Sequence, residues 1–389
     1  MTALEQEMRW MIAQEGPLSV ERFMSLALSH PRHGYYTTRD PFGAHGDFIT
    51  APEISQMFGE LIGLWVAEVW ALLGRPKLIR LIEIGPGRGT LMADALRALR
   101  SVPGFIQAVE VHMVETSPVL TERQKATLAR VPVPVSWHKD VGEIAEGPAI
   151  IIANELFDAL PVRHYVRTQR GWCERLIGLD ENKHLVFGAS SEVEPSINTP
   201  APVGEVLEIA VEGRLLMRAL AHRLQRHPGA VLAIDYGHTQ TALGETLQAL
   251  KGHQFVDPLS HIGEADLTAH VDFAALVRAA KTTNITVHGP ITQGEFLTNL
   301  GIVERANGLK RRATEAQAVE IDAALLRLID PAPEHMGELF KVLAITSPNL
   351  SRLPAFPDPA AGADDEDDLP RDQETGQESD KDSYQEGNG

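Results

Sequence analysis

Cysteine is almost absent. Of 389 residues only Cys173 carries a thiol, which excludes an intrachain disulfide and any zinc or iron–sulfur centre built on several cysteines. That scarcity fits a reducing compartment, and the expected location is the cytoplasm. Cys173 sits between Trp172 and Glu174 in an alternating stretch and is expected to pack within a strand rather than react. Basic residues are also in deficit, 35 Lys and Arg against 53 Asp and Glu. From Pro354 onward twelve acids face only Arg371 and Lys381. Ten of the eighteen net negative charges therefore lie in that tail and eight over the preceding 353 residues. Neither part offers the cationic surface on which nucleic-acid affinity rests, so no nucleic-acid partner is expected. Nowhere do 18 apolar residues follow one another, and the first residues, with Glu5 and Glu7, lack the order of a secretory signal; no membrane span is expected. The fifteen histidines show no His-Glu-x-x-His or comparable ligand spacing, so no metal is expected.

What the chain does have is an alternation of apolar runs and amphipathic stretches. Two short helices open it, the first with Leu4, Met8, Met11 and Ile12 on one face, the second capped by Ser19 and ended by Pro31. The Gly- and aromatic-rich stretch over 33–48 reads as a long ordered loop. Thr50-Ala51-Pro52-Glu53 reads as a capping box that starts a core helix running through Trp65 and Trp70. Strands are predicted over 78–84, 109–114, 133–137 and 149–153, with helices over 90–100 and 117–129. Alternating segments over 162–168, 172–179 and 185–187 predict an antiparallel meander inserted on the parallel sheet. A helix near 208–226 leads to a fifth strand over 230–234. A helix over 272–281, a short strand over 285–287, two more helices and a last strand over 339–345 complete the pattern. The fold class is α/β with a Rossmann-like sheet. Its expected parts are an N-terminal helical segment over 1–74, the core over 75–161 and 229–350, inserted antiparallel and helical elements over 162–228, and a disordered acidic tail over 354–389.

The first strand ends Glu83-Ile84-Gly85-Pro86-Gly87-Arg88-Gly89-Thr90 and enters a helix. That geometry brings backbone N–H groups up to a nucleotide-type ligand. A dinucleotide turn reads Gly-x-Gly-x-x-Gly; here Thr90 holds the last position and the third glycine comes one residue early. The spacing resembles that of class I methyltransferases, whose loop wraps the amino-acid part of S-adenosylmethionine. That part carries no phosphate, so the loop needs close backbone approach, which glycine permits because it has no Cβ. Gly85, Gly87 and Gly89 are therefore candidate cofactor contacts. Glu83 either holds the loop or meets the ligand's ammonium group. Glu115 ends the second strand, where a carboxylate can accept from both ribose hydroxyls or cap the next helix with Thr116 and Ser117. It stands 30 residues after Gly85 against about 20 in the dinucleotide fingerprint, a difference that the longer helix and the loop Val102-Pro103-Gly104 account for. Asp140, past the third strand, either accepts from an adenine amino group or serves a turn.

The fourth strand delivers Asn154-Glu155-Leu156-Phe157-Asp158-Ala159-Leu160-Pro161 at its carboxyl end, where open α/β sheets place chemistry. Asn154 and Asp158 could simply cap a turn with Glu155 in solvent. The alternative is catalytic. Methyl transfer from a sulfonium is an in-line displacement that needs an aimed nucleophile, and arginine is a poor one because its guanidinium stays protonated. A pair of carboxylates, Glu155 and Asp158, can grip the planar fork, aim one nitrogen and stabilise the persisting positive charge.

These residues also make the chain similar to the MidA-like family of class I S-adenosylmethionine-dependent methyltransferases, over roughly residues 1–350. The likeness rests on His30-Pro31 with Gly34-Tyr35-Tyr36, on Gly46-Asp47-Phe48-Ile49-Thr50-Ala51-Pro52-Glu53-Ile54-Ser55, on the two turns above, and on Ala233-Ile234-Asp235-Tyr236-Gly237 and Ala265-Asp266-Leu267-Thr268. The acidic tail falls outside it. The resemblance implies S-adenosylmethionine as cofactor, held by Gly85, Gly87, Gly89 and Glu115. It also implies N-methylation of arginine in a protein, such as an NADH dehydrogenase subunit. Asp47 would sit on a segment folded over the cofactor as a lid, or cap the approach to a helix; Asp235 and Tyr236 either border the acceptor pocket or complete a turn. Two other functions compete. One is an assembly factor that binds cofactor and client with catalysis secondary; the other is a small-molecule or nucleic-acid amine methyltransferase, for which Asn154 is in place but a Pro-Pro-Tyr continuation is not.

Overall fold

The computed structural model describes residues 1–38 and 49–358; Asp47 and most of the acidic tail lie outside them. The central sheet is built from β1 (Ile79–Ile84), β2 (Val109–Val114), β3 (Val135–His138), β4 (Ala149–Asn154), β5 (Gly229–His238), β6 (Thr286–Thr292) and β7 (Phe340–Thr346). They lie side by side in the order β3-β2-β1-β4-β5-β7-β6, and a short strand Val271–Asp272 extends the far end of β5. The neighbours from β3 to β5 are parallel, whereas β7 runs antiparallel to both β5 and β6.

The continuous apolar runs of the middle strands follow from burial on both faces. Leu81, Ile150, Ile152 and Leu232 face one way, against the helices Gln56–Leu72 and Thr90–Leu99. Ile82, Ile151, Val231 and Ala233 face the other, against Val211–Arg226 and Phe273–Ala280. The first pair of helices touch closely because Gly63 has no side chain. A Cβ there would stand 2.7 Å from the carbonyl oxygen of Ala95, nearer than such atoms approach. Glu60, beside it, accepts from Arg97 at 2.9 Å and from Arg305 at 2.7 Å, and these two guanidinium groups hold its carboxyl below the usual range against the opposing effect of burial. The helix that begins at the glycine turn is thus fixed from behind.

Chain order creates the crevice. From β1 the chain moves outward to β2 and β3, then returns past β1 to β4, so the connections leaving the carboxyl ends of β1 and β4 diverge and open a space between them.

Three expectations need correction. Thr50 makes no side-chain cap; Glu53 turns instead to Thr90 Oγ1 at 2.5 Å, because a partner from the glycine-turn helix competes with the local capping box. The helix breaks at Ser55, whose extended backbone and side chain cap Gln56–Leu72 through Met57 N at 3.2 Å. The meander is not inserted on the parallel sheet: β4 already has β1 and β5 as hydrogen-bonded neighbours and offers no edge. Arg163–Thr168, Gly171–Leu179 and Leu185–Val193 instead form a separate antiparallel sheet with Leu18–Ser19 and Val206–Ile209, and Cys173 is buried within it. A small antiparallel sheet of Gln248–Lys251, Gln254–Val256 and Asp266–Thr268 was not expected at all. Between β6 and β7, where two helices were expected, the chain makes Gln293–Asn299, Ile302–Lys310, Glu315–Ile329 and the single turn Met336–Leu339. Among the described residues no helix is long and apolar enough to cross a membrane, and no group of three or more His, Cys, Asp and Glu side chains is arranged to hold a metal.

Candidate active site

The glycine turn leaves β1 through left-handed backbone at Gly85 (φ 67°), Gly87 (φ 53°) and Gly89 (φ 80°), conformations that side chains beyond glycine adopt only at a cost. At Gly85 space is short as well, since a Cβ would lie 2.8 Å from Leu156 Cδ1 in the turn after β4. Gln124, fully buried in the helix Pro118–Thr127, braces this turn. Its Nε2 donates to the Gly87 carbonyl at 2.8 Å and to Glu115 Oε2 at 3.0 Å, while its Oε1 accepts from Trp137 Nε1 at 3.0 Å. Glu115 also accepts at 2.7 Å from the backbone N of Ser117, the residue whose hydroxyl caps the helix, and it lines the cavity. Burial raises its carboxyl above the usual range. Asp140 lines the same cavity while its Oδ1 accepts from Gly142 N at 2.7 Å, closing its own turn.

Glu83 does not reach the cavity wall. It is buried in β1 behind the turn, its Oε2 has no hydrogen-bond partner, and burial pushes its carboxyl up to about 8. The alternative in which it meets a ligand ammonium directly is therefore not what the side chain's position provides.

The turn after β4 is wound around Asp235. This fully buried carboxylate accepts from three successive backbone N–H groups, Leu156 at 3.1 Å, Phe157 at 2.8 Å and Asp158 at 3.2 Å, and from Tyr236 N at 2.9 Å. Glu155 adopts a left-handed φ of 49°, and its Oε1 accepts from Ala51 N at 2.8 Å and Asn154 Nδ2 at 3.2 Å. Burial raises Glu155 to about 8 and Asp158 to about 6, the second restrained by a hydrogen bond from the Tyr236 hydroxyl. Asn154 Oδ1 and Asp158 Oδ1 are buried without hydrogen-bond partners, an arrangement that normally signals a missing donor.

A third segment adjoins this turn. Ala269 N donates to the Asp158 carbonyl at 3.0 Å, which lays the strand Asp266–Thr268 alongside this turn. Tyr36, from the N-terminal segment, donates its hydroxyl to Asp266 Oδ1 at 2.9 Å. The cavity has a volume of about 620 Å³ and is lined by Gly85, Gly87, Glu115, Asp140, Glu155 and Asp158 together with Tyr36, Tyr236, Asp266, Thr268 and His270. Seven of the residues singled out in the sequence, Tyr236 among them, thus line one cavity. Glu83, Gly89 and Asn154 stand behind it, and Asp47 lies outside the described residues. Gln124, Tyr36 and His270 were missed; a glutamine in mid-helix carries no sequence signal, and Tyr36 and Asp266 stood out only as parts of resembling blocks.

A glycine turn and a buried acidic turn stand at adjacent strand ends and open on one cavity, the place where an open α/β sheet receives a nucleotide-like cofactor. The comparisons with known proteins agree. A family model described as S-adenosyl-L-methionine-dependent methyltransferase matches residues 61–291, and the chain belongs to that family. It is an enzyme, and its cofactor is S-adenosylmethionine. Among curated relatives, "Protein arginine methyltransferase NDUFAF7, mitochondrial" of Danio rerio is 36% identical, over 88% of this chain and 86% of its own. The Homo sapiens protein of that name is 33% identical over 89% and 83%. A COG1565 superfamily protein from Burkholderia thailandensis, crystallised with S-adenosyl-homocysteine, superposes with a TM-score of 0.80 at 29% identity, covering 91% of this chain and 94% of that one. The cytoplasmic expectation is overturned, because the curated relatives are named as mitochondrial proteins. A single buried cysteine reports a reducing environment and does not distinguish one such compartment from another.

Proposed function

We propose that this enzyme methylates an arginine side chain of a protein, and, following its MidA-like resemblance, that the protein is an NADH dehydrogenase subunit. The observation that carries the reading is Asp158, a buried acid with an unpartnered oxygen in the same cavity as the glycine turn. The relatives' printed activity supports it. The residues present suit the cofactor: Gly85 and Gly87 bring left-handed backbone to the cavity lining and Glu115 presents a carboxylate there. In this reading Gly85 and Gly87 hold the amino-acid part, Glu115 the ribose, and Asp140 lies toward the adenine, while Gly89 gives the turn its last left-handed step against Gln124. When bound, S-adenosylmethionine supplies a methyl group whose bond to sulfur breaks with the electron pair remaining on sulfur.

The rest is the work of this chain. A guanidinium entering beside Asp158 must turn one nitrogen toward the methyl group and release a proton from it as the new bond forms. Asp158, ionised above about pH 6, orients that nitrogen and takes the proton on Oδ1. Glu155, held at about 8 by burial, is largely protonated in the free enzyme, and an incoming cation favours its ionised form. Asn154 acts from behind the wall, its Nδ2 donating to Glu155 Oε1 at 3.2 Å. The test is mass spectrometry of arginine methylation in cells with and without the gene. Loss of methylation at defined arginines is expected on deletion, and an unchanged arginine methylome refutes the reading.

A further inference from the structure

In the small antiparallel sheet Gln248–Lys251 stands between Asp266–Thr268 and Gln254–Val256. The two-residue turn Gly252-His253, left-handed at both positions (φ 57° and 61°), is of the kind that matches the twist of paired strands and fixes their register. Leu250 lies opposite Phe255 on one side and opposite Asp266 on the other, and Gln248 lies opposite Thr268. Residues opposite one another across a sheet, and alternate residues along a strand, share a face. That face is turned to the cavity, which Gln248, Leu250, Phe255, Asp266 and Thr268 all line. The other face, with Ala249 and Leu267, is buried in the core that the two N-terminal helices share. Phe255 is 74% exposed, so folding hides little of its ring and stability does not account for it. A lone exposed hydrophobe is ordinary. This one ends a row that begins beside the acidic turn, and exposed Leu339 lines the same cavity.

We propose that Phe255, with Leu250 beside it, is the docking point for the acceptor chain and determines its specificity by holding an apolar side chain two residues from the arginine to be methylated. The assignment rests on the arginine reading above. The occupant follows from where the row begins and ends. Ala269 N donates to the Asp158 carbonyl at 3.0 Å, so Asp266–Thr268 lies beside the acid to which the guanidinium is assigned. Gln254–Val256 lies two strand spacings further out, about 10 Å. An arginine whose head reaches Asp158 keeps its backbone outside the acids. Two residues of extended chain then add about 7 Å and bring a side chain back to the same side. That side chain arrives over Phe255 while the arginine's methylene groups pass Leu250. The cofactor has its own lining at other strand ends, Gly85, Gly87, Glu115 and Asp140, and does not call for this row. Aromatic anchors of this kind concentrate binding energy in protein contacts, and a charged neighbour in the acceptor would gain nothing from the ring.

The test uses the full chain, tritium-labelled S-adenosylmethionine, and lysate from cells lacking the gene as acceptor source, with labelled residues and their flanking sequence identified by mass spectrometry. Phe255→Ala removes an exposed ring, so the melting temperature and S-adenosyl-homocysteine affinity by calorimetry are expected to stay near wild type. Transfer at limiting lysate is expected to fall by roughly fivefold or more and to recover as lysate is increased, because acceptor binding is what is lost. Phe255→Leu keeps an apolar surface and is expected to restore most of it. Arginines labelled by the wild type are expected to have leucine, isoleucine, valine, methionine or an aromatic residue two positions before or after them. Unchanged transfer at limiting lysate in Phe255→Ala, or labelled arginines without such a neighbour, overturns the docking assignment alone. A fall in cofactor affinity that matches the fall in transfer overturns it too, since Phe255 would then serve the cofactor. Wild-type label on a residue other than arginine, or on none, overturns the arginine reading and the docking assignment with it.

Discussion

Replacing Glu83 by glutamine tests whether the acid under the glycine turn is an uncompensated buried carboxyl. Its folded value is about 8 against 4.5 for the ordinary side chain, with burial as the cause. A group raised in this way keeps a proton in the folded chain that the unfolded chain has lost, so stability declines as pH rises from about 4.5 to about 8. At about 1.36 kcal/mol per pH unit, Glu83 alone should cost about 3 kcal/mol between about pH 5 and about pH 7.5. Glutamine cannot titrate and removes that slope. Its amide inherits the missing partner, a penalty of about 1–3 kcal/mol that is the same at every pH. The assay is urea unfolding of wild type and Glu83→Gln at several pH values. The variant should gain on wild type by about 3 kcal/mol across this range. Parallel stability curves would refute the account, for they would mean that Glu83 finds a proton donor or a cation in the folded protein.

Gly85→Ala places a side chain at a left-handed φ and against Leu156; a loss of about 1–2 kcal/mol in stability and a fall of at least tenfold in S-adenosyl-homocysteine affinity are expected, read by denaturation and calorimetry. Gln124→Glu sets a carboxyl against Glu115, where one of the pair must stay protonated; calorimetry should find cofactor affinity weakened near pH 8 and recovering toward pH 5, whereas Gln124→Leu should show no such recovery. Asp158→Asn should leave cofactor affinity unchanged and cut turnover by roughly 10²–10³, by analogy with a positioned charge stabiliser, in a steady-state transfer assay.

How much was legible in the sequence depended on how far apart the partners lie along the chain. The runs that became β1 and β4 and the turn 85–89 are local signals, and the structure has a glycine turn and an acidic turn where they were placed. The segment beside the acidic turn joins Tyr36 to Asp266 across 230 residues, a pairing that no spacing rule announces. Thr50-Ala51-Pro52-Glu53 carried a correct local pattern, but Glu53 found Thr90, 37 residues on, and left the box unmade. The meander's alternation was read correctly as antiparallel strands, yet its attachment was not, because whether β4 has a free edge is decided by β1 and β5. The strands Gln248–Lys251 and Gln254–Val256 are too short to produce a clear period.

The central claim is that a methyl group passes from the glycine-turn subsite to an arginine held by the acidic turn after β4. It is tested most directly by incubating the purified chain with S-adenosylmethionine carrying a deuterated methyl group and lysate from cells lacking the gene, then mapping the label by tandem mass spectrometry. The account predicts deuterated methyl on arginine nitrogens with wild type and a loss of roughly 10²–10³ in rate with Asp158→Asn. Label on another residue type, or equal labelling by wild type and Asp158→Asn, would contradict it.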